Sequence, residues 1–211
     1  MPINVLIADD HAIVRVGLRK ILEGQSDIIV TGEATDGREA IALSGARPCD
    51  VIIMDIAMPG INGIDATRTI CRTLPEVKVI ILSMHDTSEH VYRAFQSGAC
   101  GYLLKGVAGD EIVTAIRAVV QGELYCGKGV EPPLPQDQSH AKSPLDSLSH
   151  REREVLQLVV EGKSSAEIAA ALSLAENTPD VYRSRIMKKL GIRNTASLVK
   201  FAIQHGLTSL E

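Results

Sequence analysis

Tryptophan is absent, and two phenylalanines and four tyrosines are the only other large aromatics in 211 residues. Any core must therefore be packed from Ile, Val, Leu and Ala, and a hydrophobic fraction of 45% is enough to build one. Long apolar runs are missing too. None reaches the roughly eighteen residues that a membrane-spanning helix needs, so no membrane partner is expected. No basic stretch precedes an apolar one at the N-terminus, so no signal peptide is expected either. The four cysteines, Cys49, Cys71, Cys100 and Cys126, show no C-x-x-C spacing and have no histidine at ligand spacing. That pattern argues against a zinc site and a disulfide framework, and favours reduced thiols in a cytoplasmic protein.

The charge that is present is unevenly spread. Residues 1–124 carry 11 Lys/Arg against 16 Asp/Glu, whereas residues 147–211 carry 9 against 7. Within the latter, Arg183, Arg185, Lys188, Lys189, Arg193 and Lys200 occur with no acid between 181 and 200. An acidic front suits cations, and a basic back suits phosphate backbones.

Short β-branched runs recur along the front: Val5-Leu6-Ile7, Ile28-Ile29-Val30, Val51 to Met54, Val79 to Leu82 and Tyr102-Leu103-Leu104. Such runs fit strands buried on both faces. Helical stripes lie between them, as in Val14, Leu18, Ile21 and Leu22, in Ile64, Thr67, Ile70 and Cys71, and in Ile112, Ile116, Val119 and Val120. Five strands alternating with five helices predict an α/β domain over 1–124, with a parallel sheet covered on both sides. A Gly/Pro/Ser/Gln-rich stretch with Pro132-Pro133-Leu134-Pro135 predicts a partly extended linker over 125–146. From 147 to 211 the signals are all helical. Ser149 with Glu152, and Ser164 with Glu167, read as capping boxes. Thr178 reads as an N-cap with Pro179 behind it, Thr195 opens a last helix, and Gly162 and Gly191 act as stops. Four short helices are expected.

Asp9 and Asp10 end the first predicted strand, and Asp55 ends the third. Open α/β sheets bind ligands beyond the carboxyl ends of their strands, and a strand order of 2-1-3-4-5 brings these acids together. Converging carboxylates call for a cation, and hard oxygen donors suit Mg2+. Ser83 and Lys105 end the fourth and fifth strands. A hydroxyl and an ammonium beside a metal-bound carboxylate make a site for phosphoryl transfer to that carboxylate.

The segments Ala8-Asp9-Asp10-His11, Met54-Asp55-Ile56-Ala57-Met58-Pro59-Gly60, Leu82-Ser83 and Gly98-Ala99-Cys100-Gly101-Tyr102-Leu103-Leu104-Lys105 carry a family resemblance. Residues 1–122 resemble a receiver domain, and the whole chain resembles the NarL/FixJ class of response regulators. The resemblance implies a flavodoxin-like (βα)5 fold with Asp55 as phospho-acceptor. It implies Mg2+ held by Asp9, Asp10, Asp55 and the backbone carbonyl of Ala57. Ser83 and Lys105 would bind the phosphoryl group, and Tyr102 would turn inward when Ser83 moves. The implied partners are a histidine kinase and, after phosphorylation, a second copy of the chain. His11 is read as an exposed loop residue, and His85 and His90 receive no role.

Residues 145–210 resemble the LuxR-type helix-turn-helix through Leu148 to Leu156, Gly162 to Ala169 and Tyr182 to Gly191. Helix 164–172 would be the scaffold helix, and 179–190 the recognition helix in the major groove of double-stranded DNA. Arg183, Lys188 and Lys189 are expected near phosphates, with Ser184, Asp180 and Val181 at positions that can meet bases. Val181, Ile186 and Leu190 are also expected to pack inward. The family's Ser-Pro-Lys-Thr-Val is here Ala175-Glu176-Asn177-Thr178-Pro179, so a phosphate-binding lysine becomes Asn177.

These features predict a non-enzymatic transcription regulator whose only chemistry is self-phosphorylation and dephosphorylation at Asp55. Two rivals differ in class. A Mg2+-dependent aspartyl-phosphate phosphatase would use Asp55 as nucleophile, but the haloacid-dehalogenase pattern Asp-x-Asp has Ala57 in its second place. A phosphorylation-independent DNA-binding regulator would have no use for the acid cluster.

Overall fold

The computed structural model describes residues 1–106, 109–132, 144–205 and 207. They fall into two compact units, divided near Pro135.

In the first unit, β1 (Ile3–Ala8), β2 (Ile28–Ala34), β3 (Val51–Asp55), β4 (Lys78–Ser83), β5 (Gly101–Leu104) and β6 (Tyr125–Cys126) form one sheet. The order is β2-β1-β3-β4-β5-β6, and every pairing is parallel. Side chains alternate across a strand, and both faces are apolar. Leu6, Ile52, Met54, Val79, Ile81 and Tyr102 pack on one side, and Val5, Ile7, Val51, Ile53, Ile80 and Leu103 on the other. Helices α2 (Gly37–Ala46), α3 (Gly63–Thr73) and α4 (Ser88–Gln96) cover the first face, through Ala40, Ile64, Ile70 and Val91. Helices α1 (Ala12–Glu23) and α5 (Gly109–Val120) cover the second, through Leu18, Leu22, Ile112, Ile116 and Val119. Val120, expected in that stripe, is exposed.

The sheet has one strand more than the sequence pattern shows. Tyr125–Cys126 pairs with Gly101 and Tyr102, and Val130 is buried against the same core. The segment expected as linker from 125 therefore begins inside the packed unit. At its other end, a single 3-10 turn, Pro144–Ser147, buries Leu145 in the second unit. Of the extended proline stretch, Pro133 to Pro135 lie outside the described residues.

The second unit is helical: α6 (His150–Val160), α7 (Ser165–Ala171), α8 (Thr178–Leu190) and α9 (Thr195–Gln204). Val155, Leu156, Ile168, Ile186, Leu198 and Ala202 form its core. Both capping boxes are present, at Ser149/Glu152 and Ser164/Glu167. The start of α8 differs from expectation by one residue. Asn177, not Thr178, occupies the cap, and its side chain makes no capping bond. Pro179, already inside the helix, lacks an N–H and needs none there. Val181 is also a correction, because it is 49% exposed. Pro179, Tyr182 and Ile186 take the inward positions at helical spacing, which turns Val181 outward.

Candidate functional site

The carboxyl ends of β1, β3, β4 and β5 converge as the strand order requires. Asp9 and Asp55 are buried there, at 1% and 3% exposure. Lys105 reaches in from the end of β5, with Nζ 2.9 Å from Asp9 Oδ2 and 2.8 Å from Asp55 Oδ2. Burial pushes the Asp55 carboxyl above its ordinary range; Lys105 opposes that push, and Asp9 and Asp10 add to it. Burial would lower the Lys105 ammonium, but Asp55 and Asp9 outweigh it and hold the ammonium above its usual value. Removing charge from water is costly unless opposite charge compensates, and here one ammonium serves two buried carboxylates, with Asp10 close by. Ligand atoms of Asp9, Asp10, His11 and Asp55 lie within 4.8 Å of one another. This donor set, mostly carboxylate oxygen, fits a hard divalent cation such as Mg2+. Ala57 is half-buried two residues after Asp55.

Several residues without a role in the sequence reading frame this pocket. His11 is exposed, yet its Nδ1 lies 2.6 Å from Asp10 Oδ1 and 3.3 Å from Asp9 Oδ1. Arg15, one turn further along α1, donates from Nη1 to the backbone oxygens of Asp9 at 2.7 Å and Asp10 at 3.1 Å, and from Nε to Glu33. It fixes the chain where β1 leaves the sheet. Gly63 begins α3 directly beneath Asp55. A Cβ there would stand 1.8 Å from the Asp55 backbone oxygen, so only glycine allows helix and strand to approach so closely.

Ser83, 1% exposed, ends β4. The His85 backbone N–H donates to its Oγ at 3.1 Å, and the Tyr102 hydroxyl donates to the His85 carbonyl at 2.7 Å. Tyr102 is fully buried, and burial pushes its hydroxyl up to about 12. His85 also stacks on the buried His90, with ring centroids 4.5 Å apart. Ser83 and Tyr102 are thus joined through one loop residue. The signal for that role lies in the backbone of His85, which residue type does not reveal.

In the second unit, α8 presents Asp180, Val181, Ser184, Arg185 and Lys188 as exposed residues. Arg183 is half-buried, with Nη1 3.8 Å from Asp180 Oδ1. Lys189, expected near phosphates, places Nζ 2.7 Å from Glu152 Oε2 and 3.1 Å from the Ser147 carbonyl. It ties α8 to the start of α6.

Residues 5–117 match the response regulator receiver domain, and residues 146–202 match the luxR family of bacterial regulatory proteins. The chain is 40% identical to the response regulator UvrY of Escherichia coli K12 over 212 aligned positions, covering 99% of this chain and 97% of that one. It is 31% identical to RcsB of Salmonella enterica serovar Typhimurium, in a structure bound to a promoter in the presence of the phosphomimetic BeF3−. That match has a TM-score of 0.64 and covers 95% of this chain and 98% of RcsB. A structure of two RcsB dimers bound to two parallel DNAs matches with a TM-score of 0.59 at 29% identity, covering 97% and 99%. Among the described residues, no helix is long and apolar enough to cross a membrane.

Proposed function

The chain belongs to the NarL/FixJ class of two-component response regulators, in which a receiver domain precedes a LuxR-type DNA-binding domain, and from that premise we propose that phosphorylation of Asp55 controls its binding to DNA. The observation that carries this reading is the buried Asp55–Lys105–Asp9 cluster at the carboxyl edge of the sheet.

A partner histidine kinase supplies the phosphoryl group. The N–P bond of its phosphohistidine breaks as an Asp55 carboxylate oxygen forms an O–P bond, and the imidazole leaves with the electron pair. Asp9, Asp10, Asp55 and the Ala57 carbonyl are the groups that would hold Mg2+, which neutralises phosphoryl oxygens when bound. Lys105 neutralises the same charge from the β5 side, and the Ser83 hydroxyl donates to a phosphoryl oxygen. Ser83 Oγ accepts from the His85 N–H while its own proton goes to the phosphoryl group, so a shift of Ser83 toward that group draws on His85, and His85 holds the Tyr102 hydroxyl. The loop after β4 and the end of β5 therefore form the element that phosphorylation biases. The readout is dimerisation and tighter DNA binding. Arg183 and Lys188 meet phosphates, Ser184, Asp180 and Val181 face bases, and Lys189 divides its charge between Glu152 and the backbone phosphates. The protein acts in the cytoplasm and is not an enzyme toward other substrates. The receiver unit ends in the stretch after Val130, and the DNA-binding unit starts near Pro144.

Incubation with radiolabelled acetyl phosphate and Mg2+ tests the acceptor. Wild type takes a label that hydroxylamine releases, as an acyl phosphate requires, and Asp55→Asn takes none; labelling of Asp55→Asn at the wild-type level rules Asp55 out.

A further inference from the structure

The outward face of α8 carries a carboxylate where phosphates favour cations, and that carboxylate is held in place. Asp180 lies in the first turn of α8 with its side chain 61% exposed. Ser165, the first residue of α7, donates from Oγ to Asp180 Oδ1 at 2.7 Å. Arg183 Nη1 lies 3.8 Å from the same oxygen. Both contacts fall on Oδ1, which leaves Oδ2 of this exposed side chain to accept a further hydrogen bond, in a first turn that also exposes Val181 and, one turn on, Ser184.

We propose that Asp180 is a specificity-determining residue that accepts a hydrogen bond from the amino group of a cytosine in the major groove, with Ser165 as its positioning residue. This inference rests on the DNA-binding reading above. An ionised carboxylate only accepts hydrogen bonds. Guanine shows two acceptors in the major groove and thymine shows one, so both repel it. Adenine pairs its amino donor with the N7 acceptor, which a carboxylate meets unfavourably. Cytosine alone shows a donor without a neighbouring acceptor. The Ser165 bond fixes the side chain before DNA arrives, which lowers the cost of ordering it on binding. Arg183 offsets part of the repulsion between Asp180 and the phosphates.

A purely structural role for Asp180, as a first-turn acid favoured by the helix dipole and a tie to α7, predicts a change in stability or overall affinity only. Base preference separates the two. The full-length chain, activated with beryllofluoride and Mg2+, is used to select from a randomised DNA duplex library, with thermal melting as a check on folding. Wild type enriches cytosine at one position of each half-site, on the order of tenfold over the other bases. Asp180→Asn moves that position to adenine, because a side-chain amide pairs with both N6 and N7. Asp180→Ala loses the preference there and binds all duplexes more tightly. Ser165→Ala keeps cytosine with weaker enrichment. If Asp180→Asn and Asp180→Ala retain the wild-type preference at every position, or lose enrichment evenly across the site, the assignment is overturned. If no protein in any state retains any duplex, the DNA-binding reading falls, and this inference with it.

Discussion

Lys105 stands between two buried carboxylates, 2.9 Å from Asp9 and 2.8 Å from Asp55, so its charge can be removed without moving the strand that carries it. Lys105→Met leaves the acids facing one another unneutralised. The expected result is tighter Mg2+ binding by titration calorimetry, together with acyl-phosphate labelling slowed by about a hundredfold or more, the usual cost of removing an electrostatic stabiliser. Unchanged labelling would place the ammonium outside the chemistry. Asp9, Asp55, Ser83 and Lys105 were legible in the sequence because each ends an apolar run, and a parallel sheet gathers such ends along one edge. Arg15 and His85 were not, because they act on or through backbone atoms: the carbonyls of Asp9 and Asp10 for Arg15, and its own N–H and C=O for His85. Lys189 carries a second contact that the sequence does not show, because Glu152 lies within its reach only after α6 and α8 have packed.

Among the elements, α3 depends on a single missing side chain. Gly63→Ala would drive a methyl into the Asp55 carbonyl, and the backbone must shift to admit it. Overpacking of this kind costs about 1–3 kcal/mol or more, so the urea midpoint of the receiver unit should fall by a corresponding amount and labelling should fall with it. An unchanged midpoint would mean that α3 and β3 are free to separate. The start of α6 offers a test by pH. Burial pushes the Glu152 carboxyl up, but Lys189 and the bonds from Ser149 outweigh it and leave it below the usual glutamate value. A depressed folded-state value gives stability that is present above the unfolded value, about 4.3, and lost as pH falls through the folded one. The DNA-binding unit should therefore lose melting temperature on acidification below about pH 4, and Glu152→Gln should flatten that limb. An identical acid limb in the variant would contradict the pairing. Both capping boxes were readable because a capping box is local, with both partners within four residues. β6 was not, because two residues carry no periodicity and their pairing depends on the β5 edge. The one-residue offset at α8 arises because Asn177 and Thr178 are both ordinary cap residues, and nothing local decides between them.

Over the whole molecule, the acidic pocket and the basic helix lie in separate compact units, 1–135 and 136–211. In the proposed function, chemistry at the pocket acts on DNA binding through a change in the state of the receiver unit. The division of charge along the chain made this two-part organisation legible, and the order of the strand-end residues made the receiver recognisable. The proposed coupling between the parts leaves no comparable trace, because it would be a difference between states and not a property of residues in one state. The most direct test is fluorescence anisotropy with a duplex selected by the protein itself, measured with and without beryllofluoride and Mg2+, on wild type and on Asp55→Asn. Binding should tighten on activation in the wild type and stay unchanged in Asp55→Asn. Equal affinity in every state, or the same gain in Asp55→Asn, would contradict control through Asp55.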